Sequence, residues 1–235
     1  METAASPDHY RERLALLPGI GTRYEATRAP AAASRAQLGL PEDRTLYLVP
    51  QSLFKIHPDT DDLLAQVLER EPSAIAVLLV SPLQAVTQAF AARLARSLAR
   101  RTVAMDDRVR FLPRLSHDTY VQVNAACDVM LDTPHWSGGN TSLDAIACGL
   151  PIVTCPGLLM RSRQSAAMLE ILGVPELVAA DAAQYVEIAT RLGRDAEWRR
   201  TVSSRMRAGH ASLFGRDEPI RALESFLEQV AGGPR

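Results

Sequence analysis

The side chains best suited to chemistry crowd into one stretch, LDTPHWSGGNTSLDAIACG at 131–149. Gly138 and Gly139 lie between an apolar run ending at Leu131 and a segment with Leu143, Ile146 and Ala147 at helical spacing. Glycine lets a ligand approach the main chain, and a helix start presents unpaired N–H groups at the positive end of its dipole. Strand, glycine loop and helix start, with Asn140 and Thr141 opening the helix, suit a phosphate or diphosphate. The same residues also make an ordinary turn. Asp144 lies three residues beyond Thr141 on the same helical face and is the one charge in that helix. A carboxylate so placed can accept both hydroxyls of a ribose. The plainer alternative is a surface acid near a helix start, worth about 0.3–1 kcal/mol.

Lys55 is the one lysine among 26 basic side chains. In a chain that otherwise uses arginine, it marks a place for a compact ammonium, such as the neutraliser of a diphosphate, or the chance survival of one codon. Arg114, Leu115, Ser116 and His117 follow a strand and offer groups that can pair with a base edge. Tyr120 can stack on that base or serve as core. Trp136 and His135 stand at the mouth of the glycine loop, His135 as a proton carrier or a polar contact. Asp59 and Asp61 match an Asp-x-Asp metal pattern, but they follow Pro58 at a helix start, so they read as capping and first-turn acids. No metal is expected there.

These groups need elements to hold them. Strands are expected at 45–49, 74–80, 109–112, 129–132 and 151–154, with a short edge strand at 176–179. Helices are expected at 60–69, 83–101, 118–126, 140–148, 163–172, 181–192, 196–208 and 219–230, preceded by an amphipathic entry helix at 7–17. The AIAVLLV run at 74–80 is apolar throughout, as in a parallel strand buried on both faces. The alternation predicts an α/β fold with a doubly wound parallel sheet and closing C-terminal helices. Residues 1–35 read as an entry helix and linker, and 36–235 as one Rossmann-like domain. Ligands in such sheets gather at the carboxyl ends of the strands, where all these candidates fall.

A net charge of −1 argues against nucleic acid as a partner. No apolar run approaches the roughly 20 residues of a membrane span, and the first residues carry no signal-peptide core, so a cytoplasmic location is expected. Cys127, Cys148 and Cys155 lack metal-type spacing and read as buried thiols.

The blocks QSLFKIHPD at 51–59, RVRFLPRLSHDTY at 108–120, DVMLDTPHWSGGNTSLDAIACGLPIVTCPG at 128–157 and SRQSAAML at 162–169 carry a resemblance. They look like the C-terminal half of the O-linked N-acetylglucosamine transferase / SPINDLY family, glycosyltransferase family 41, of the GT-B fold. The resemblance implies a UDP-sugar donor, usually UDP-N-acetylglucosamine, used without a cofactor or metal. It places Lys55 on the diphosphate with Gln51 and Ser52 beside it. It puts Gly138, Gly139, Asn140 and Thr141 under the phosphates, Asp144 on the ribose, and Arg114, Leu115 and His117 around uracil. Tyr120 falls where animal members have a histidine over the base, and Gly139 and Asn140 fall where they have His and Thr. Base and sugar selectivity stay open on those departures, since SPINDLY-type members use GDP-fucose.

The resemblance further implies a protein acceptor, and that family members carry tetratricopeptide repeats and an N-terminal catalytic half ahead of this segment. The expected function is therefore the donor-binding half of an inverting, metal-independent transferase to Ser or Thr, with Lys55 as its catalytic cation. A non-catalytic UDP-sugar-binding module and another GT-B enzyme, such as a UDP-sugar epimerase, are the alternatives.

Overall fold

A computed structural model describes residues 1–2, 6–28, 31 and 33–232. Five strands run β1 Leu46–Val49, β2 Ile75–Leu79, β3 Val109–Leu112, β4 Val129–Leu131 and β5 Ile152–Val153. They form one sheet in the order β3-β2-β1-β4-β5, and every pairing is parallel. The crossovers are α1 Pro58–Arg70, α2 Gln84–Ala99, α3 His117–Ala126 and α4 Asn140–Cys148. Helices α5 Gln164–Ile171, α6 Ala182–Arg194, α7 Ala196–Ala208, α8 His210–Leu213 and α9 Glu218–Gly232 complete the described chain. Leu46, Tyr47 and Leu48 of β1 and Ala76, Val77 and Leu78 of β2 are fully buried, as continuously apolar central strands must be.

The direction of winding reverses between β1 and β4, with β2 and β3 added on one side of β1 and β4 and β5 on the other. The loops leaving these two strands diverge there and open a crevice beyond their carboxyl ends. Lys55 is on the first loop and the glycine pair on the second.

Long-range polar anchors fix the lower edge. The Arg35 guanidinium donates to Ala126 O, Arg44 O and Asp128 Oδ2, each at 2.9 Å, and Asp128 Oδ2 also accepts Leu46 N–H at 2.8 Å. Tyr47, buried in β1, donates its hydroxyl to Ala189 O of α6 at 2.9 Å. A row on α9 comprising Leu223, Phe226, Leu227 and Val230 is exposed. Among the described residues no helix is long and apolar enough to cross a membrane.

Two expected elements are absent. Residues 7–17 carry only a short 3₁₀ turn, Ser6–His9, and then an irregular path. Leu16 is 67 % exposed, so the apolar side of this stretch is left largely uncovered, and so short a helix does not persist without such cover. Residues 176–179 form a 3₁₀ turn, Pro175–Leu177, and a single bridge from Val178 to Thr154 instead of a strand. Pro175 removes the N–H that would continue a ladder. Part of the linker expected before residue 36, residues 29–30 and 32, lies outside the described residues.

Helix α4 stops at Gly149, which takes φ 72°. A Cβ there would be strained and would collide with the Arg207 guanidinium, which donates to Cys148 O at 2.7 Å. Gly149→Ala is expected to cost about 1–2 kcal/mol of stability in urea unfolding. An unchanged midpoint would show that the helix end is not held this way.

Candidate functional site

The crevice is built around a carboxylate that the sequence analysis did not single out. Asp132 follows β4 directly and is 2 % exposed. Its oxygens accept the Ser137 hydroxyl at 2.7 Å, Gly138 N–H at 2.8 Å and the Thr154 hydroxyl at 2.7 Å. Burial raises its pKa, and these donors pull it back down. The Ser137 hydroxyl also accepts Ser165 N–H at 2.9 Å, and the Ser165 and Ser142 hydroxyls are 2.7 Å apart. One buried acid thus fastens the glycine loop to β5, α5 and α4.

The fastening decides which amides face outward. Gly138 N–H is spent on Asp132. The amides of Gly139, Asn140 and Thr141 donate to nothing among the described residues, and no side chain caps α4, whereas His57, Ser116, Asp181 and Asp195 cap α1, α3, α6 and α7. The open start of α4 therefore keeps its partial positive charge. Gly138 admits no side chain, since a Cβ there would strike the Ser142 and Thr141 hydroxyls, whereas one on Gly139 would come within 2.9 Å of Gln164 Oε1, a flexible end that can shift.

Gln51 joins the two loops. Its amide nitrogen donates to Trp136 O at 2.9 Å, and that same carbonyl accepts the Thr133 hydroxyl at 2.5 Å. Lys55 Nζ rests 4.7 Å from the centroid of the Trp136 ring, so the ammonium from the first loop reaches the second. Such a contact is worth about 0.5–1 kcal/mol at an exposed site. A charge-assisted hydrogen bond is worth about 1.5–3 kcal/mol, enough to draw the ammonium from the ring to an anion.

Gln51, Ser52, Arg114, Leu115, His117 and Tyr120 line one cavity of about 410 Å³ beyond β1, β2 and β3. Tyr120 is part of its wall, and burial raises the pKa of its phenol. Lys55 and Trp136 line a neighbouring cavity of about 640 Å³ with His57, His135 and Arg161, and Phe54 borders both. Gly138, Gly139, Asn140, Thr141 and Asp144 line neither cavity and belong to the α4 start behind Trp136.

Asp144 is 5 % exposed, so it is no surface acid. Its Oδ1 accepts the Thr27 hydroxyl at 2.6 Å, a partner from the entry segment 117 positions away. Asp61 of the Asp-x-Asp pair is buried and held by Arg93 at 2.5 and 3.1 Å. Arg161 falls in the loop after β5, where ligand groups are expected, and lines the cavity of Lys55 and Trp136.

The fold is that of one Rossmann-like half of a GT-B glycosyltransferase. The mutant Thermobaculum terrenum O-GlcNAc transferase superposes with TM-score 0.79 at 26 % identity, over 97 % of this chain and 42 % of that one. A sucrose-phosphate synthase from Thermosynechococcus elongatus shares the fold, with TM-score 0.61 at 19 % identity over 87 % of this chain and 53 % of that one.

The model of Glycosyl transferase family 41 matches residues 19–216, and the chain belongs to that family. It is 32 % identical to the UDP-N-acetylglucosamine--peptide N-acetylglucosaminyltransferase of Caenorhabditis elegans, over 89 % of this chain and 18 % of the worm protein. It is 24 % identical to the probable enzyme SEC of Arabidopsis thaliana, over 81 % of this chain and 19 % of that protein. The chain thus spans less than a fifth of the length of these relatives.

Asp132→Ala would leave three buried donors without their acceptor. The expected loss is about 2–4 kcal/mol in chemical denaturation. A loss under about 1 kcal/mol would mean that the loop holds itself without the carboxylate.

Proposed function

We propose that this chain is the donor-binding half of an inverting transferase that moves N-acetylglucosamine from UDP to a Ser or Thr hydroxyl of a protein. The observation that carries the reading is the Lys55 ammonium of the β1 loop resting on the Trp136 ring of the β4 loop, the loop that leads into the uncapped start of α4. Departure of the diphosphate builds negative charge on its oxygens, and fixed donors aimed at that charge lower the barrier. In this reading Lys55 and the amides of Gly139, Asn140 and Thr141 do that work, so no metal is needed. Gln51 and Ser52 flank the phosphates, and Arg114, Leu115, His117 and Tyr120 hold the base in the neighbouring cavity. The printed names of the worm and plant relatives, which specify UDP-N-acetylglucosamine and a peptide acceptor, support the same donor and acceptor class.

The acceptor hydroxyl must lose a proton, and the described residues of this chain supply no base to which that role is assigned. The proposed active site is therefore completed by an N-terminal half of the kind its relatives have the length to carry.

Titrating UDP, GDP and UDP-N-acetylglucosamine into the chain by calorimetry tests the donor. UDP is expected to bind more tightly than GDP, and Lys55→Ala to weaken UDP by tenfold or more, on the order of 1.5–3 kcal/mol. Unchanged affinity in that variant removes Lys55 from the site. Saturable UDP binding without peptide transfer, even with a complementary N-terminal half, would favour a binding module. Release of free sugar products without acceptor would favour an epimerase-like enzyme.

The ribose assignment has its own test. Thr27 holds one oxygen of Asp144. Thr27→Ala should raise affinity for UDP and leave pyrophosphate binding unchanged, and Asp144→Asn should lower only the former. Equal effects on both ligands would move Asp144 away from the sugar.

A further inference from the structure

Three side chains converge at the lip of the crevice without a part in the donor reading. His135 Nε2 is 2.8 Å from Asp59 Oδ2, and His57 Nδ1 is 3.3 Å from the same oxygen. The two imidazole rings lie 4.0 Å apart between centroids, tilted by 42°. One ligand-type atom from each of the three falls within 4.8 Å of the others. All three side chains are exposed. They come from both loops of the crevice, Asp59 and His57 from the β1 side and His135 from the β4 side.

We propose that His57, Asp59 and His135 bind a borderline divalent cation of the zinc or cobalt class. Two imidazole nitrogens and one carboxylate oxygen are the donor set such ions prefer, whereas calcium and magnesium prefer oxygen alone. Bonds of about 2.0–2.2 Å to one ion place its ligand atoms about 3.0–3.5 Å apart. The two measured separations from Asp59 are close to that spacing, and rotation of exposed side chains closes the third. The plainer arrangement is a carboxylate hydrogen-bonded by two histidines. However, His57 Nδ1 accepts the Asp59 backbone N–H at 3.3 Å as the α1 cap. That bond uses the Nδ1 lone pair, so no proton on Nδ1 bridges to the carboxylate oxygen beside it. A cation between nitrogen and oxygen relieves this apposition and can displace the long cap bond.

Three protein ligands leave coordination positions open. Both histidines line the cavity that also holds Lys55, Trp136 and Arg161, so the open positions have access to that cavity. The three cations that line that cavity, Lys55, Arg93 and Arg161, and the exposure of all three ligands weaken the site. The ion has no assigned step in sugar transfer, and the site stands whether or not UDP binds.

The test adds zinc(II) or cobalt(II) alone to the metal-free chain, following zinc by calorimetry and cobalt by visible absorption. One ion per chain is expected, with a spectrum of nitrogen and oxygen ligands and no competition from equimolar magnesium. His57→Ala and His135→Ala should each weaken binding by about tenfold or more, with circular dichroism unchanged. Failure to saturate, equal affinity in the double variant, or a thiolate-to-cobalt band from Cys155 would overturn the assignment.

Discussion

The crevice depends on a buried negative charge. Taking a carboxylate out of water costs several kcal/mol unless donors replace the lost hydration. Asp132 recovers that cost from Ser137, Gly138 and Thr154, and the recovery works only if all three stay in place. The same bonds that make the charge tolerable therefore make the loop rigid. In the proposed reading rigidity matters, because stabilisation of a leaving group by backbone amides comes from donors already aimed, with no reorganisation left at the moment of reaction. The amides of Gly139, Asn140 and Thr141 remain open because Gly138 alone turns inward to the acid.

Much of this was legible from pattern. Apolar runs located all five strands, and the helix at 140–148 was bounded by signals that act locally: a glycine pair before it and Gly149 and Pro151 after it. The prominence of Lys55 rested on composition, and the rule that ligand loops gather at strand ends put its loop and the Trp136 loop on the same edge of the sheet, although their contact was not foreseen. What stayed hidden is long-range. Asp132 looks in the sequence like the polar end of a strand, because its partner Thr154 is brought near only by the β4–β5 pairing. Thr27 is 117 positions from Asp144, and nothing local couples them. The entry helix failed for the same reason in reverse: amphipathic spacing promises a helix only where another surface exists to cover its apolar side.

Belonging to family 41 while spanning 18 % of the worm relative bounds what the domain can do by itself. The structure superposes on 42 % of the Thermobaculum protein, with 97 % of this chain inside the matched region. In the proposed reading, this region holds a donor and pulls charge toward its own amides. Transfer also needs a hydroxyl placed on the far side of the sugar, and the cavities beside Trp136 and Tyr120 face outward at the strand ends. Chemistry at this surface is thus a property of what closes over it.

The choice of lysine over arginine fits that division of labour. Arginine holds structural positions throughout the chain: Arg35 grips three acceptors at the base of the sheet, and Arg93 clamps Asp61 with two nitrogens. Those posts reward a planar fork that stays put. Lys55 has no carboxylate partner among the described ion pairs and rests on an indole face at a cost of release of about 1 kcal/mol. An arginine at the same point would stack more firmly on Trp136 and tend to stay there. In the proposed donor reading, a compact ammonium on a flexible stem can leave the ring, follow charge onto a departing diphosphate, and return when the product is gone.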